Sequence, residues 1–338
     1  MRLQNWSAPG TSLRTRVVIE ALSAVWRPLS SRLPVDPGGI AIGRAMFEFA
    51  LGRVSPPVPG ATFAPVDDRD LDGRCVRGEW VRGPRVRQQP GVVLFFHGSG
   101  YAICSTRTHR GLASHISDRS GAPVFSVDYR LAPEARHPAA LEDARAGWDW
   151  LIARGHAPET VVLAGDSAGG HLALLLTLDL AREGASLPAA LVGLSPLIDM
   201  DLTAAAVRDR VERDPFAHPA LARRVLDLYA DEAERRDLNE RLVFEDLDAF
   251  PPTLIHNGSR EMLSADCTEL ARRMAAAGLP VQHRVWPGQM HVFHALTALL
   301  PESHTALDEV AGFIDHHLAV ARARTAPVQA GEHGVRTA

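Results

Sequence analysis

With 338 residues, 46% of them hydrophobic, 22% charged and a net charge of −4, the chain has the make-up of an ordinary globular protein that can bury a large core. Its charge balance leaves no basic footprint for nucleic acid, and no apolar run reaches the ~18 residues that a membrane span needs. All 36 basic residues are arginine, which excludes a lysine Schiff base from its chemistry.

Residues 1–60 stand apart from the rest of the chain. Arg14 to Leu29 has the spacing of an amphipathic helix, with Val18, Leu22, Val25 and Trp26 near one face. Pro34 and Pro37-Gly38-Gly39 are expected to break it, and a second helix to run from Ile40 to about Leu51. Pro56-Pro57 and Pro59-Gly60 close the segment. It reads either as a helical extension packed on the core or as a cap over a site, with Trp26 and Phe47 offering an apolar wall. Glu20 interrupts the apolar stretch Val17 to Trp26, so neither a signal peptide nor membrane association is expected.

Thr62 to Val66 and Arg74 to Val81 alternate arginine with apolar residues, as a half-exposed antiparallel edge pair does. From residue 92 the pattern changes to short strands expected to be buried: 92–96, 123–127, 161–164, 190–194, 253–255 and 281–286. Helical stretches near 107–119, 138–154, 169–183, 265–278 and 303–322 lie between and after them. Apolar strands alternating with helices give an α/β fold, a mostly parallel central sheet covered on both faces. The charged, helical stretch 201–245 interrupts this rhythm and is expected to sit above the strand C-termini as a cap insertion. The catalytic domain is thus expected to span 61–324, with a disordered tail at 325–338.

The chemistry centres on Gly165-Asp166-Ser167-Ala168-Gly169-Gly170, a G-x-S-x-G turn between an apolar strand and an apolar helix. That context makes it a nucleophile elbow, with Ser167 lifted out of the backbone at a helix N-terminus. A serine hydroxyl needs a base to take its proton and an acid to orient the base. Downstream, Glu261 is the first acidic residue after the strand at 253–255. Asp266 is its rival, read as an exposed first-turn helix residue. His291 follows the turn after the strand at 281–286, with His294 as the fallback base. His316 and His317 lie within the last helix and read as solvent-facing. His97-Gly98-Ser99-Gly100 ends the first buried strand, where backbone N–H groups of Gly98 and Ser99, with that of Ala168, can face an oxyanion.

These stretches resemble the hormone-sensitive-lipase-like bacterial carboxylesterases of the α/β-hydrolase fold. The resemblance spans roughly residues 90–320. It rests on His97-Gly98-Ser99-Gly100, Asp128-Tyr129-Arg130-Leu131-Ala132-Pro133-Glu134, Gly165-Asp166-Ser167-Ala168-Gly169-Gly170, Gly258-Ser259-Arg260-Glu261-Met262-Leu263 and Met290-His291-Val292-Phe293. It implies Ser167 as nucleophile, Glu261 as acid, His291 as base, oxyanion donors at Gly98, Ser99 and Ala168, and an N-terminal helical cap. Asp128, Arg130 and Glu134 would form a structural ion-pair network. Two departures stand out. Ser99 replaces the family's middle glycine, and the acid is Glu where much of the family has Asp.

The expected function is therefore a cofactor-free, metal-free serine carboxylesterase acting on small or short-acyl esters through an acyl-enzyme. Tyr101, Trp26, Phe47 and Phe293 are the expected pocket residues. An acetyl hydrolase, lactonase or amidase on the same machinery is the alternative. A non-catalytic ligand-binding member of the fold is disfavoured, because the base histidine is present. The expected partner is a small-molecule ester, with a homodimer left open. Cys75, Cys104 and Cys267 are odd in number and far apart, so no disulfide framework is expected and a cytoplasmic location is.

Overall fold

The computed structural model describes residues 10–88, 91–244 and 247–325. Eight strands, β1 (Thr62–Arg69), β2 (Cys75–Arg82), β3 (Val92–Phe96), β4 (Val124–Val127), β5 (Val161–Asp166), β6 (Ala190–Leu194), β7 (Thr253–Gly258) and β8 (Val281–Trp286), form one sheet in the order β1-β2-β4-β3-β5-β6-β7-β8. β2 pairs antiparallel with β1 and β4, and every other pairing is parallel. The arginine-alternating pair is thus one edge of the sheet, the apolar runs from β3 to β7 are its interior, and β8, which carries Gln282, His283 and Arg284, is the other edge.

The helices are α1 (Leu13–Ala21), α2 (Arg27–Ser30), α3 (Pro37–Val54), α4 (Arg110–Ser120), α5 (Ala139–Ala153), α6 (Ala168–Arg182), α7 (Thr203–Arg208), α8 (Pro219–Tyr229), α9 (Glu232–Glu240), α10 (Ser264–Ala276) and α11 (Pro301–Thr325). On β3, Val92, Leu94 and Phe96 belong to the core shared with α5, α6 and α10, while Val93 and Phe95 belong to the core shared with α4 and α11. This period-2 division with both faces apolar is why these strands read as continuous hydrophobic runs. Each such fully buried side chain contributes roughly 1.5–3 kcal/mol.

The N-terminal segment differs from expectation in two details. A π turn (Leu22–Trp26) joins α1 to α2, so the two helices run on as one. The second helix begins at Pro37, three residues before the expected Ile40, so Pro37-Gly38-Gly39 is its first turn. Asp36 caps the Gly39 N–H at 2.8 Å, and proline is well suited to the first helical position, where no N–H is needed. α1 docks on the sheet's far end: Ile19 packs with Trp286, Met290 and Phe293, and Thr15 donates to Glu302.

The stretch after β6 holds α7, α8 and α9, and it meets the N-terminal helices directly. The Arg27 guanidinium pairs with Asp209 at 2.6 Å, and Trp26 stacks on Phe216 with ring centroids 5.7 Å apart. The tail expected at 325–338 falls, beyond Thr325, outside the described residues. Among the described residues, no helix is long and apolar enough to cross a membrane.

Candidate active site

β5 ends at Asp166 and α6 begins at Ala168, so Ser167 alone makes the turn. It does so at φ 50°, a conformation costing a non-glycine residue about 1–3 kcal/mol. The Ser167 N–H is held by the Leu194 carbonyl at 2.9 Å, and its own carbonyl accepts from Leu197 at 3.0 Å. The turn also needs strand and helix to nearly touch. A Cβ at Gly165 would meet the Gly169 carbonyl carbon at 2.4 Å, and one at Gly169 would meet the Phe96 carbonyl oxygen at 2.0 Å. Both obstacles are backbone and cannot swing away. Gly169→Ala is therefore expected to destabilise the fold by about 3 kcal/mol, the upper end of overpacking costs. The check is a lowered thermal midpoint or loss of soluble protein; a wild-type melting curve would refute it.

His291 Nε2 lies 2.9 Å from Ser167 Oγ. Two short turns bring them together. Ser167 stands at the end of β5, and His291 follows the turn after β8, just before Val292 at φ 48°. Behind the imidazole, His291 Nδ1 is 3.8 Å from Glu261 Oε1. Both atoms are buried with no other partner among the described residues, so each is the other's available complement, and closing the bond takes a movement of about 1 Å. The second carboxylate oxygen of Glu261 is already held. It accepts from Ser195 Oγ at 2.6 Å and from the Gly258 N–H at 2.8 Å. Ser195 Oγ also accepts the Val292 N–H at 3.1 Å. One hydroxyl at the end of β6 thus ties the acid's loop to the histidine's loop.

Burial alone pulls the pKa of His291 down. The Glu261 carboxylate outweighs it, with Asp214 and Asp166 adding in the same direction, and the net result is above the ordinary histidine value. The fallback, His294, faces His256 Nδ1 at 3.4 Å instead, and its burial pushes it down to about 3. Asp266 does sit in the first turn of α10, but it is buried rather than exposed, and desolvation raises it to about 7. As expected, His316 lies on the solvent side of the last helix, while His317 is half-buried.

The amide cradle differs from expectation in one member. The Gly98 N–H donates to Asp166 Oδ1 at 3.1 Å, so it is turned away from Ser167. A Cβ at Gly98 would meet Asp166 Oδ2 at 2.2 Å; the glycine is there for that close approach. The N–H groups of Ser99, Gly100 and Ala168 have no acceptor among the described residues. Ser99 and Gly100 adopt φ 85° and 61° and border the cavity. The Ser99 hydroxyl points aside to the Cys104 sulfur at 2.8 Å.

Ser167 and His291 open into a cavity of about 190 Å³. Trp26 and Phe47 wall it as expected, joined by Phe216 in a three-ring cluster. Tyr101 and Phe293 do not. Tyr101, at φ 64°, turns into the core, where its ring stacks on Tyr229 at 4.0 Å and its hydroxyl meets His171 Nδ1 at 2.7 Å. Phe293 packs under α1 against Trp286 and His294. The residues lining the cavity in their place are aliphatic, among them Ile40, Leu197, Leu221, Val225 and Leu296.

The family description "alpha/beta hydrolase fold" matches residues 93–295. An acetyl-hydrolase of Streptomyces hygroscopicus is 36% identical over 280 residues, 83% of this chain and 89% of that protein. The carboxylesterase/phospholipase LipF of Mycobacterium tuberculosis is 34% identical over 315 residues, 90% of this chain and 80% of its own. The crystal structure of an esterase from the bacterial hormone-sensitive lipase family superposes with a TM-score of 0.79 at 32% identity, covering 92% of this chain and 100% of that one. The chain belongs to the bacterial hormone-sensitive-lipase family of α/β-hydrolases.

A hormone-sensitive-lipase-like α/β-hydrolase of this kind is a carboxylic ester hydrolase. Two of the charged residues of the 128–134 stretch form structural ion pairs, with partners outside the stretch. Arg130 pairs with Asp143 and Glu142, and Glu134 pairs with Arg44 of α3. Sequence reasoning also passed over Ser195 and Gly100. Ser195 could have been found as the polar residue ending a buried strand next to the elbow; Gly100 could have been found by asking which N–H of the glycine-rich turn has a competing acceptor.

Proposed function

We propose that Ser167, His291 and Glu261 form the catalytic triad of this esterase. The observation that carries the proposal is the 2.9 Å approach of His291 Nε2 to the Ser167 hydroxyl, with a buried carboxylate behind the ring. Ser167 Oγ attacks the ester carbonyl as His291 takes its proton. The oxyanion that forms is met by the N–H groups of Ser99, Gly100 and Ala168, at the positive end of α6. His291 gives the proton to the leaving alcohol; it then takes a proton from a water whose oxygen attacks the acyl carbonyl, and returns it to Ser167 Oγ as the Oγ–C bond breaks and the acid leaves. Glu261 holds the tautomer in which Nδ1 carries the hydrogen, and it stabilises the imidazolium. Labelling by a fluorophosphonate tests the proposal: mass spectrometry should find the adduct on Ser167, and an unlabelled Ser167 overturns it.

The base must be neutral to accept a proton. The raised pKa of His291 therefore costs activity on the acid side. kcat/KM is expected to fall with a midpoint above the free-histidine value of ~6.5 as pH drops. A midpoint below that value would mean that the Glu261 carboxylate does not face the ring.

Small, neutral, short-acyl esters are the proposed substrates. The cavity is modest and aliphatic. Among the described residues, Asp166 is its only acidic lining residue, and that carboxylate is spent on Gly98 and His109. A relative named acetyl-hydrolase supports the same choice. The proposal includes a cap built from residues 1–60 and 201–245. It also includes a cytoplasmic location, supported by three cysteines that all stay free.

A further inference from the structure

The loop that carries Glu261 is held by the stretch that follows β6. Arg208, at the end of α7, donates from Nε to the Glu261 carbonyl at 3.1 Å, and its NH2 group donates to the Ser259 carbonyl. Asp214, on the loop between α7 and α8, accepts the Met262 N–H at Oδ2, 2.9 Å away. Its other oxygen accepts the Phe216 and Ala217 N–H groups at 2.8 and 3.0 Å. Asp214 is completely buried. A carboxylate placed there without partners would be costly, and its three backbone donors are what make it tolerable. Phe216 and Ala217, which this carboxylate shapes, line the cavity.

We infer that Arg208 and Asp214 are positioning residues: a two-point clamp through which the insertion after β6 sets the place of the catalytic acid. The clamp grips main chain on both sides of Glu261, with a donor on the carbonyls of Ser259 and Glu261 and an acceptor on the N–H of Met262. The insertion is therefore part of the scaffold of the triad as well as a wall of the substrate cavity. A change in the wall at Phe216 is passed to Glu261 through one side chain. The inference rests on Glu261 being the acid.

Asparagine at 214 separates the two jobs of the carboxylate. Its carbonyl oxygen can still accept from Phe216 and Ala217, but its NH2 then faces the Met262 N–H, donor against donor. Asp214→Asn and Arg208→Met are each expected to lower kcat by ~10- to 100-fold, the scale of an ångström-sized misplacement, with KM within about threefold of wild type. His291 is faced by the carboxylates of Glu261, Asp214 and Asp166 and by neutral His294. Removing one of these negative charges in Asp214→Asn moves the acid limb of kcat/KM to lower pH. Asp214→Ser, too short to reach Met262 but able to keep the turn, should lower kcat likewise. Asp209→Asn cuts the insertion's pair with Arg27 without touching the acid loop, and should act on KM alone. Wild-type kcat in both clamp variants, or losses confined to KM as in Asp209→Asn, would overturn the inference. An active Glu261→Gln beside a dead Ser167→Ala would instead show that the assignment of the acid was at fault.

Discussion

Alanine at position 167 is expected to cut ester hydrolysis by ~10⁴-fold or more, measured on p-nitrophenyl acetate or butyrate. The substitution removes one oxygen and little else. Alanine meets the same backbone cost as serine at φ 50°, and the Leu194 and Leu197 hydrogen bonds that hold the turn are made by main-chain atoms. The melting temperature should therefore stay close to wild type, and the loss will be chemical rather than structural. The amide cradle of Ser99, Gly100 and Ala168 remains, so turnover should fall to a small residue above the uncatalysed rate. Near-wild-type turnover would remove Ser167 from the mechanism.

Glu261→Gln is expected to lower kcat by roughly 10³- to 10⁴-fold through the tautomer of His291. Ser195 and the Gly258 N–H both donate to one oxygen of the side chain. A glutamine must offer its carbonyl oxygen to those donors, which turns its NH2 toward His291. Nδ1 then accepts, the ring proton moves to Nε2, and no lone pair is left to take the Ser167 proton. Asp266→Asn supplies the comparison. Asp266 is buried in the first turn of α10 and makes no contact with His291 among the described residues, so its loss should leave kcat within about threefold. A collapse in Asp266→Asn with Glu261→Gln active would reverse the assignment of the acid.

Strand positions were legible because the interior strands are apolar on both faces: 92–96 and 190–194 coincide with β3 and β6. The elbow was legible because steric demand writes itself as glycine at 165 and 169. Side-chain direction was not. Tyr101 stands two residues from Ser99 and Phe293 two from His291, yet a left-handed turn sends the first into the core and a tight turn buries the second. Gly98 failed for a related reason. Sequence shows that an N–H exists in the turn but not that Asp166, 68 residues on, has already taken it. The start of α3 at Pro37 rather than Ile40 was not legible, because Pro-Gly-Gly reads as a break although proline suits the first helical position.

The walls of the cavity and its chemistry come from different parts of the chain. Trp26, Phe47 and Phe216 meet one another and the lumen, while Ser167 and His291 stand on the ends of the sheet. Selection, natural or in the laboratory, can thus explore new acyl or alcohol groups at Trp26 and Phe47 with little risk to bond cleavage. Changes at 26 and 47 should be the freest to drift. Position 216, held in its turn by Asp214, should evolve most slowly of the three.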